Sequence, residues 1–164
     1  MTDACGTRID YVARTRELYS DMPPYRWCDL RADPVPWTPF EIALSSAKIM
    51  LISTSGVHCD DQTPFGLSDD TTIRTVPTDW PTDRLRANHF GYPVAYARED
   101  PNCVFPIDRL RELVEAEVVD GLTPTAITCM GGIYSYRRVI AELLPRVLAV
   151  VAAEQPDLAF LVPA

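Results

Sequence analysis

The sequence predicts an α/β fold, a three-layer sandwich built on a mostly parallel sheet, and three observations point there. Two short apolar runs, residues 47–54 and 158–162, have the near-continuous hydrophobicity of strands buried on both faces, which is the signature of a parallel sheet. The interval 126–162 reads as strand, glycine turn, long helix and strand, the right-handed crossover unit of such sheets. A helix opened by Pro106 precedes that unit, so strands and helices alternate along the chain rather than segregating.

Taken in order, residues 7–19 place Ile9, Val12, Ala13 and Leu18 at spacings that suit a short amphipathic helix, ended by Met22-Pro23-Pro24. Residues 21–40 carry five prolines with Tyr25, Trp27, Trp37 and Phe40. That stretch is too apolar for a flexible linker and too rich in proline for a helix, so it reads as an extended arm on a single α/β domain spanning 1–164. The run Ala-Lys-Ile-Met-Leu-Ile-Ser-Thr at 47–54, bounded by Ser55-Gly56, is the first central strand. Residues 55–72 read as turns, 72–76 as a short alternating strand closed by Pro77, and 79–102 as a long stretch with few regular signals. Pro106 at a first helical position, with Ile107, Leu110, Leu113 and Val114 on one face, gives the clearest helix. A strand at 126–129, a Gly131-Gly132 turn, a helix over 136–154 and a buried strand at 158–162 complete a Rossmann-like or flavodoxin-like pattern.

Composition excludes several functions. A net charge of −8 with no basic stripe argues against a nucleic-acid partner. The lack of any apolar run of about 18 residues, and of a basic then apolar start, argues against membrane insertion and export, so a cytoplasmic protein is expected. Fourteen of the fifteen cations are arginine, and the lone Lys48 reads as solvated rather than as a Schiff-base amine. Cys5, Cys28, Cys59, Cys103 and Cys129 are odd in number and lack a Cys-x-x-Cys pair, which fits free thiols in a reducing compartment.

Ligands of open α/β sheets sit beyond the carboxyl ends of strands, which here are residues 53–62, 129–132 and the end of 158–162. The first combines Gly56, His58, Cys59, Asp60, Asp61 and Gln62, an imidazole suited to proton transfer beside a thiol and carboxylates. From composition alone the same residues read as a turn-capping histidine with solvated acids. Cys129 before Gly131-Gly132 is either a thiol activated near a helix N-terminus or an inert core cysteine. Cys103 beside Val104-Phe105 reads as packing. His58, Cys59, Asp61 and His89 have no spacing that nucleates a metal site, and no phosphate-cradling glycine loop occurs, so no metal and no bound nucleotide cofactor is expected.

An ordered series of motifs carries a more particular resemblance. Gly56-Val57-His58, Gln62-Thr63-Pro64-Phe65, Ile73-Arg74-Thr75-Val76-Pro77, Leu85-Arg86, His89 and Tyr92 lead into Asn102-Cys103 and the block Val104-Phe105-Pro106-Ile107-Asp108-Arg109-Leu110-Arg111-Glu112-Leu113. Met130-Gly131 and Asp157 to Ala164 follow in the same order. This series resembles the selenoprotein B subunit family of the glycine, sarcosine, betaine and D-proline reductases over roughly residues 8–164.

The resemblance implies a component of a reductase that cleaves a bond at the α-carbon of a small amine or amino acid, with other reductase subunits or a homodimer mate as partners. In this reading His58 and His89 are the catalytic candidates for proton transfer or substrate orientation, with Cys59 and Cys129 as the available thiols, and Gly56, Asp61, Gln62, Tyr92, Gly131 and Gly132 are the substrate-binding candidates. Two departures stand out. The family's reactive cysteine or selenocysteine, expected just beyond a strand like 158–162, does not occur within the 164 residues, which points to a selenocysteine or cysteine beyond residue 164 in a longer gene product. Of a pair of histidines near Tyr92 only His89 is present, with Gly91 in the second place. A stand-alone thiol- or metal-dependent enzyme and a non-catalytic partner subunit docking through its last strand remain as alternatives.

Overall fold

The computed structural model describes residues 10–21 and 38–164, in two units, Met1–Phe40 and Glu41–Ala164. In the first unit, helix α1 (Tyr11–Leu18) is capped by the Asp10 carboxylate, which accepts the Ala13 N–H at 3.0 Å. It buries none of its residues. The proline-rich arm expected at 21–40 lies largely outside the described residues.

The second unit is an α/β assembly on a mostly parallel sheet. Strand β1 (Lys48–Ser53) is central and buries Ile49, Met50, Leu51 and Ser53. It is parallel to β7 (Leu158–Val162) along one whole edge, with Ile49 opposite Leu158 and Ser53 opposite Val162. Its other edge is shared by β5 (Gly121–Leu122), which pairs with Lys48 and Ile49, and β6 (Thr125–Cys129), which pairs with Ile52 and Ser53. Thr123-Pro124 interrupts these two, because proline offers no ladder N–H; fully buried Thr123 restores the link by donating its N–H to the Ile49 carbonyl at 2.9 Å. Antiparallel β3 (Ile73–Pro77) closes the far side of β6.

The sequence reading needs correcting in six places. Residues 55–72 hold a strand, β2 (Val57–Cys59), and the stretch 79–102 holds its antiparallel mate β4 (Leu85–Ala87) and helix α2 (Val94–Glu99). Three-residue strands are too short to show alternation, so pairing rather than pattern defines them. In α3 (Ile107–Glu115), Pro106 is the residue before the first turn rather than the first helical residue.

The long C-terminal helix is not uniform: α4 (Tyr136–Arg138) passes through a wider π segment, Val139–Leu143, into α5 (Leu144–Glu154). Pro145 explains this. It has no N–H for the Ala141 carbonyl and its ring crowds that turn, so the helix widens ahead of it. Cys103 is exposed, whereas Phe105 two residues later is fully buried. Finally, the 158–162 strand is not buried: Leu161 is 65 % exposed.

The core gathers Leu51, Val57, Val76, Phe105, Ile107 and Leu110 where the sheet meets α3 and the β2–β4 ribbon. The block 102–113 fastens itself to residues 78–82. Asp108 accepts from Thr82, Arg111 and Asn102, while Arg111 also donates to the carbonyls of Thr78 and Trp80. These residues are saturated by one another, so the most distinctive motif of the sequence builds the fold.

Candidate functional site

The carboxyl ends of β1, β6 and β7 meet at one rim. The Gly131 N–H donates to the Thr54 carbonyl at 2.9 Å, the Ala164 N–H donates to Thr54 Oγ1 at 2.9 Å, and Thr54 N–H donates to the Val162 carbonyl. Over this rim lies the segment that follows β4, and Gly56 puts it there. Gly56 has φ +67°, and a Cβ on it would stand 2.2 Å from the Asn88 carbonyl oxygen. Only glycine lets the two backbones approach so closely. Asn88 is held by its side chain, which exchanges hydrogen bonds with the backbone of Phe65. The next residue, His89, is thereby set against Gly131 and Thr54.

His89 is 8 % exposed and stacks between Phe90, at 5.4 Å, and Tyr92, at 4.7 Å between ring centroids. Gly132, with φ +64°, leaves room for the Phe90 ring, which a Cβ would meet at 2.7 Å. The Gly91 N–H donates to His89 Nδ1 at 2.9 Å, so in the neutral ring the proton sits on Nε2. Burial lowers the pKa of the ring below its ordinary value; the nearby Thr54 carbonyl offsets this in part. Yet Nε2 completes no hydrogen bond. Buried Ser55 Oγ is also without a partner, while its carbonyl accepts the Tyr92 hydroxyl at 2.7 Å. Burial pushes the Tyr92 phenol up to about 12, so it stays a donor at neutral pH.

His58 has the opposite tautomer. Its Nδ1–H donates to the Arg86 carbonyl across the β2–β4 ribbon at 3.0 Å, leaving Nε2 as the acceptor. The ring is buried with its edge toward Phe65, and burial again lowers its pKa. Cys59, beside it in the strand, is pushed up to about 11 by burial and by Asp61 and Asp60. Cys129 is pushed up to about 11 by burial alone, and its Sγ lies 3.7 Å from the Ser53 carbonyl. Both are thiols at neutral pH rather than thiolates. Asp60 pairs with Arg84 at 2.9 Å, and Asp61 is exposed. Gln62 bridges the Cys59 N–H and the Thr75 carbonyl, tying β2 to β3.

Of the residues picked out from the sequence, Gly56, His89, Tyr92, Cys129, Gly131 and Gly132 gather at the rim, whereas His58, Cys59, Asp61 and Gln62 belong to the neighbouring ribbon. Phe90 is a rim residue that sequence reasoning missed, and Thr54 and Ser55 lie in the strand-end segment 53–62 without having been singled out in it. Only the position of Thr54 and Ser55 straight after a buried strand could have signalled them. Among the described residues, no three His, Cys, Asp or Glu side chains gather as a metal site. A shallow cleft of about 290 Å³, lined by Thr82, Leu85, Arg86, Arg98, Asp100 and Asn102 among others, shares no residue with the rim.

The family model for glycine/sarcosine/betaine reductase selenoprotein B matches residues 32–139, which include β1, the ribbon, His89 and the saturated block 102–113. The chain belongs to this family. The chain is also similar to the D-proline reductase subunit gamma of Acetoanaerobium sticklandii, 30 % identical over 124 residues, 76 % of this chain. The chain spans about half the length of that curated relative, 51 %. No solved structure matches. Among the described residues, no helix is long and apolar enough to cross a membrane.

Proposed function

We propose that this selenoprotein B family chain is a component of a reductase that reductively cleaves a bond at the α-carbon of a small amine or amino acid, and that its rim is one side of the reacting centre. The observation that carries this reading is His89: a neutral ring, buried between two aromatic rings, with its Nε2–H unpartnered where three strand ends meet. A buried donor without an acceptor costs about 1–3 kcal/mol, which an acceptor on substrate or on a nucleophile would recover. The neutral donor suits polarisation of a leaving group or stabilisation of developing negative charge, and Tyr92 fixes the ring from behind.

The attacking atom in this reading is a selenolate or thiolate that does not come from Cys59 or Cys129, since burial keeps both protonated. In this reading it is supplied by another subunit or by a longer gene product. Cytoplasmic location and small-molecule substrates accompany this reading.

The test is turnover in the complex reconstituted with its partner subunits, read as substrate-dependent thiol oxidation. His89→Gln retains an N–H donor and should hold activity within about tenfold, whereas His89→Ala should lose about a hundredfold or more. Equal activity of His89→Ala and the unaltered protein would sink this role.

A stand-alone thiol enzyme is the weaker reading. It requires a cysteine that iodoacetamide labels faster than a model peptide at pH 7; buried Cys59 and Cys129 oppose that, and exposed Cys103 is the described thiol on which the labelling would have to fall.

A further inference from the structure

The Nε2–H of His89 is enclosed, and a group of that kind meets solvent or substrate only when a neighbour moves aside. The ring itself is held fast by its own segment. Nδ1 accepts from Gly91, Phe90 and Tyr92 stack on the ring, and the preceding Asn88 is clamped to the Phe65 backbone. Tyr92 is tied in turn to the Ser55 carbonyl, and Thr54 is locked to β7 through the Val162 carbonyl.

Residues 131–135, between the bridge at Met130 and helix α4, have the opposite character: they form neither strand nor helix. Two consecutive glycines open the segment, and both pack on the site. A Cβ on Gly131 would stand 3.3 Å from His89 Nε2, and one on Gly132 would stand 2.7 Å from the Phe90 ring. Without side chains the backbone closes on both rings and keeps the freedom to pivot. Farther along, Tyr134 is 83 % exposed, and its N–H donates to the Asp69 carboxylate at 2.8 Å. Asp69 is a fixed post for that bond. Its φ of +45° is a left-handed conformation that aspartate adopts more readily than most residues, and its carbonyl accepts from Arg138, which is ion-paired with Glu142 one turn on.

We infer that residues 131–135 form a gate over His89, hinged at Gly131-Gly132 and latched by the Asp69 carboxylate on the Tyr134 N–H, so that release of the latch uncovers Nε2. The gate controls access to the site proposed above and takes its purpose, though not its motion, from that reading. One surface hydrogen bond to a charged acceptor changes the opening equilibrium by about tenfold, a latch strong enough to favour closure and weak enough to release.

The experiment reads, by NMR on the 164-residue chain, exchange with water of the His89 Nε2–H and of the Tyr134 amide. The His58 Nδ1–H, bonded to the Arg86 carbonyl on the ribbon, is the internal reference. Asp69→Gly removes the carboxylate and is at ease at positive φ, so it releases the latch without straining the turn. It should speed exchange of both the His89 ring proton and the Tyr134 amide by about tenfold, with His58 and the melting temperature unchanged. Asp69→Asn keeps an acceptor oxygen and should stay within about threefold of the unaltered protein. Unchanged exchange of the His89 proton in Asp69→Gly overturns the latch. Faster exchange of that proton with the Tyr134 amide unaltered puts the opening elsewhere and overturns the gate, as does equal acceleration at His58, which reads general loosening. Turnover enters none of these outcomes: a fully active His89→Ala removes the donor role and leaves the gate in place.

Discussion

His58 and His89 carry the same ring but opposite protons, and the difference arises from one backbone partner each: a carbonyl at Arg86 for the first, an N–H at Gly91 for the second. This leaves an acceptor nitrogen on the ribbon and a donor nitrogen at the rim. Long-range nitrogen–proton NMR spectra should assign the Nδ1–H tautomer to His58 and the Nε2–H tautomer to His89; the reverse pattern would remove the argument for a rim donor. Gly56 governs where His89 stands. Gly56→Ala combines a left-handed backbone with a Cβ 2.2 Å from the Asn88 oxygen, so it should destabilise by about 2–4 kcal/mol in urea titrations. The same change should disturb the His89 NMR signals more than those of α3. These residue-level facts were only partly legible. His89 and Gly56 stand out by chemistry and by resemblance, but nothing in the sequence tells which nitrogen carries a proton or which carbonyl a glycine must admit.

At the scale of elements, the long apolar runs were legible and the three-residue strands were not. β1 and β7 announce themselves because each is an unbroken hydrophobic series, the pattern of a strand covered on both faces, although among the described residues β7 pairs with β1 alone and is partly exposed. β2 and β4 exist because they pair with each other, a fact that neither contains alone. The block 102–113 illustrates a different limit. Its residue types, Asn102, Asp108 and Arg111, are those of an active site, yet they satisfy one another and the turn at 78–82. Asp108→Ala would strand Arg111 and Thr82 in a half-buried place and should cost about 1–3 kcal/mol of stability. Thermal unfolding checks this, and the His89 signals should be unaffected.

For the whole molecule, stability should fall on both sides of neutrality. His58 and His89 have folded pKa values below 6.5, so the unfolded chain binds more protons as pH drops; stability is full above about 6.5 and is lost as pH falls through the lower folded values. Cys59 and Cys129 have folded values of about 11 against 9.0, so the folded chain keeps protons that the unfolded chain releases; stability is full below 9 and lost between about 9 and 11. For the deeply buried Cys129 the two-unit gap corresponds to about 3 kcal/mol at most. Melting temperature measured from pH 5 to 11 should therefore plateau between about 7 and 8.5 and fall toward either end. Cys129→Ser should flatten the alkaline limb, and an unchanged limb would mean that this thiol does not titrate with unfolding.

The sequence by itself determined the α/β class, the central strand and two of its three parallel neighbours, and the family, because hydrophobic runs and ordered motifs are local properties that survive without coordinates. Tertiary structure alone decided which candidates share a place. It put His89, Tyr92, Gly131 and Gly132 at one rim and His58, Cys59, Asp61 and Gln62 on a neighbouring ribbon, since contacts between residues 26 to 109 positions apart depend on strand register. It also decided that the 158–162 strand, apolar enough to be buried, is half exposed in this chain. Hydrophobicity records that a surface is to be covered, and only the arrangement of neighbours records what covers it.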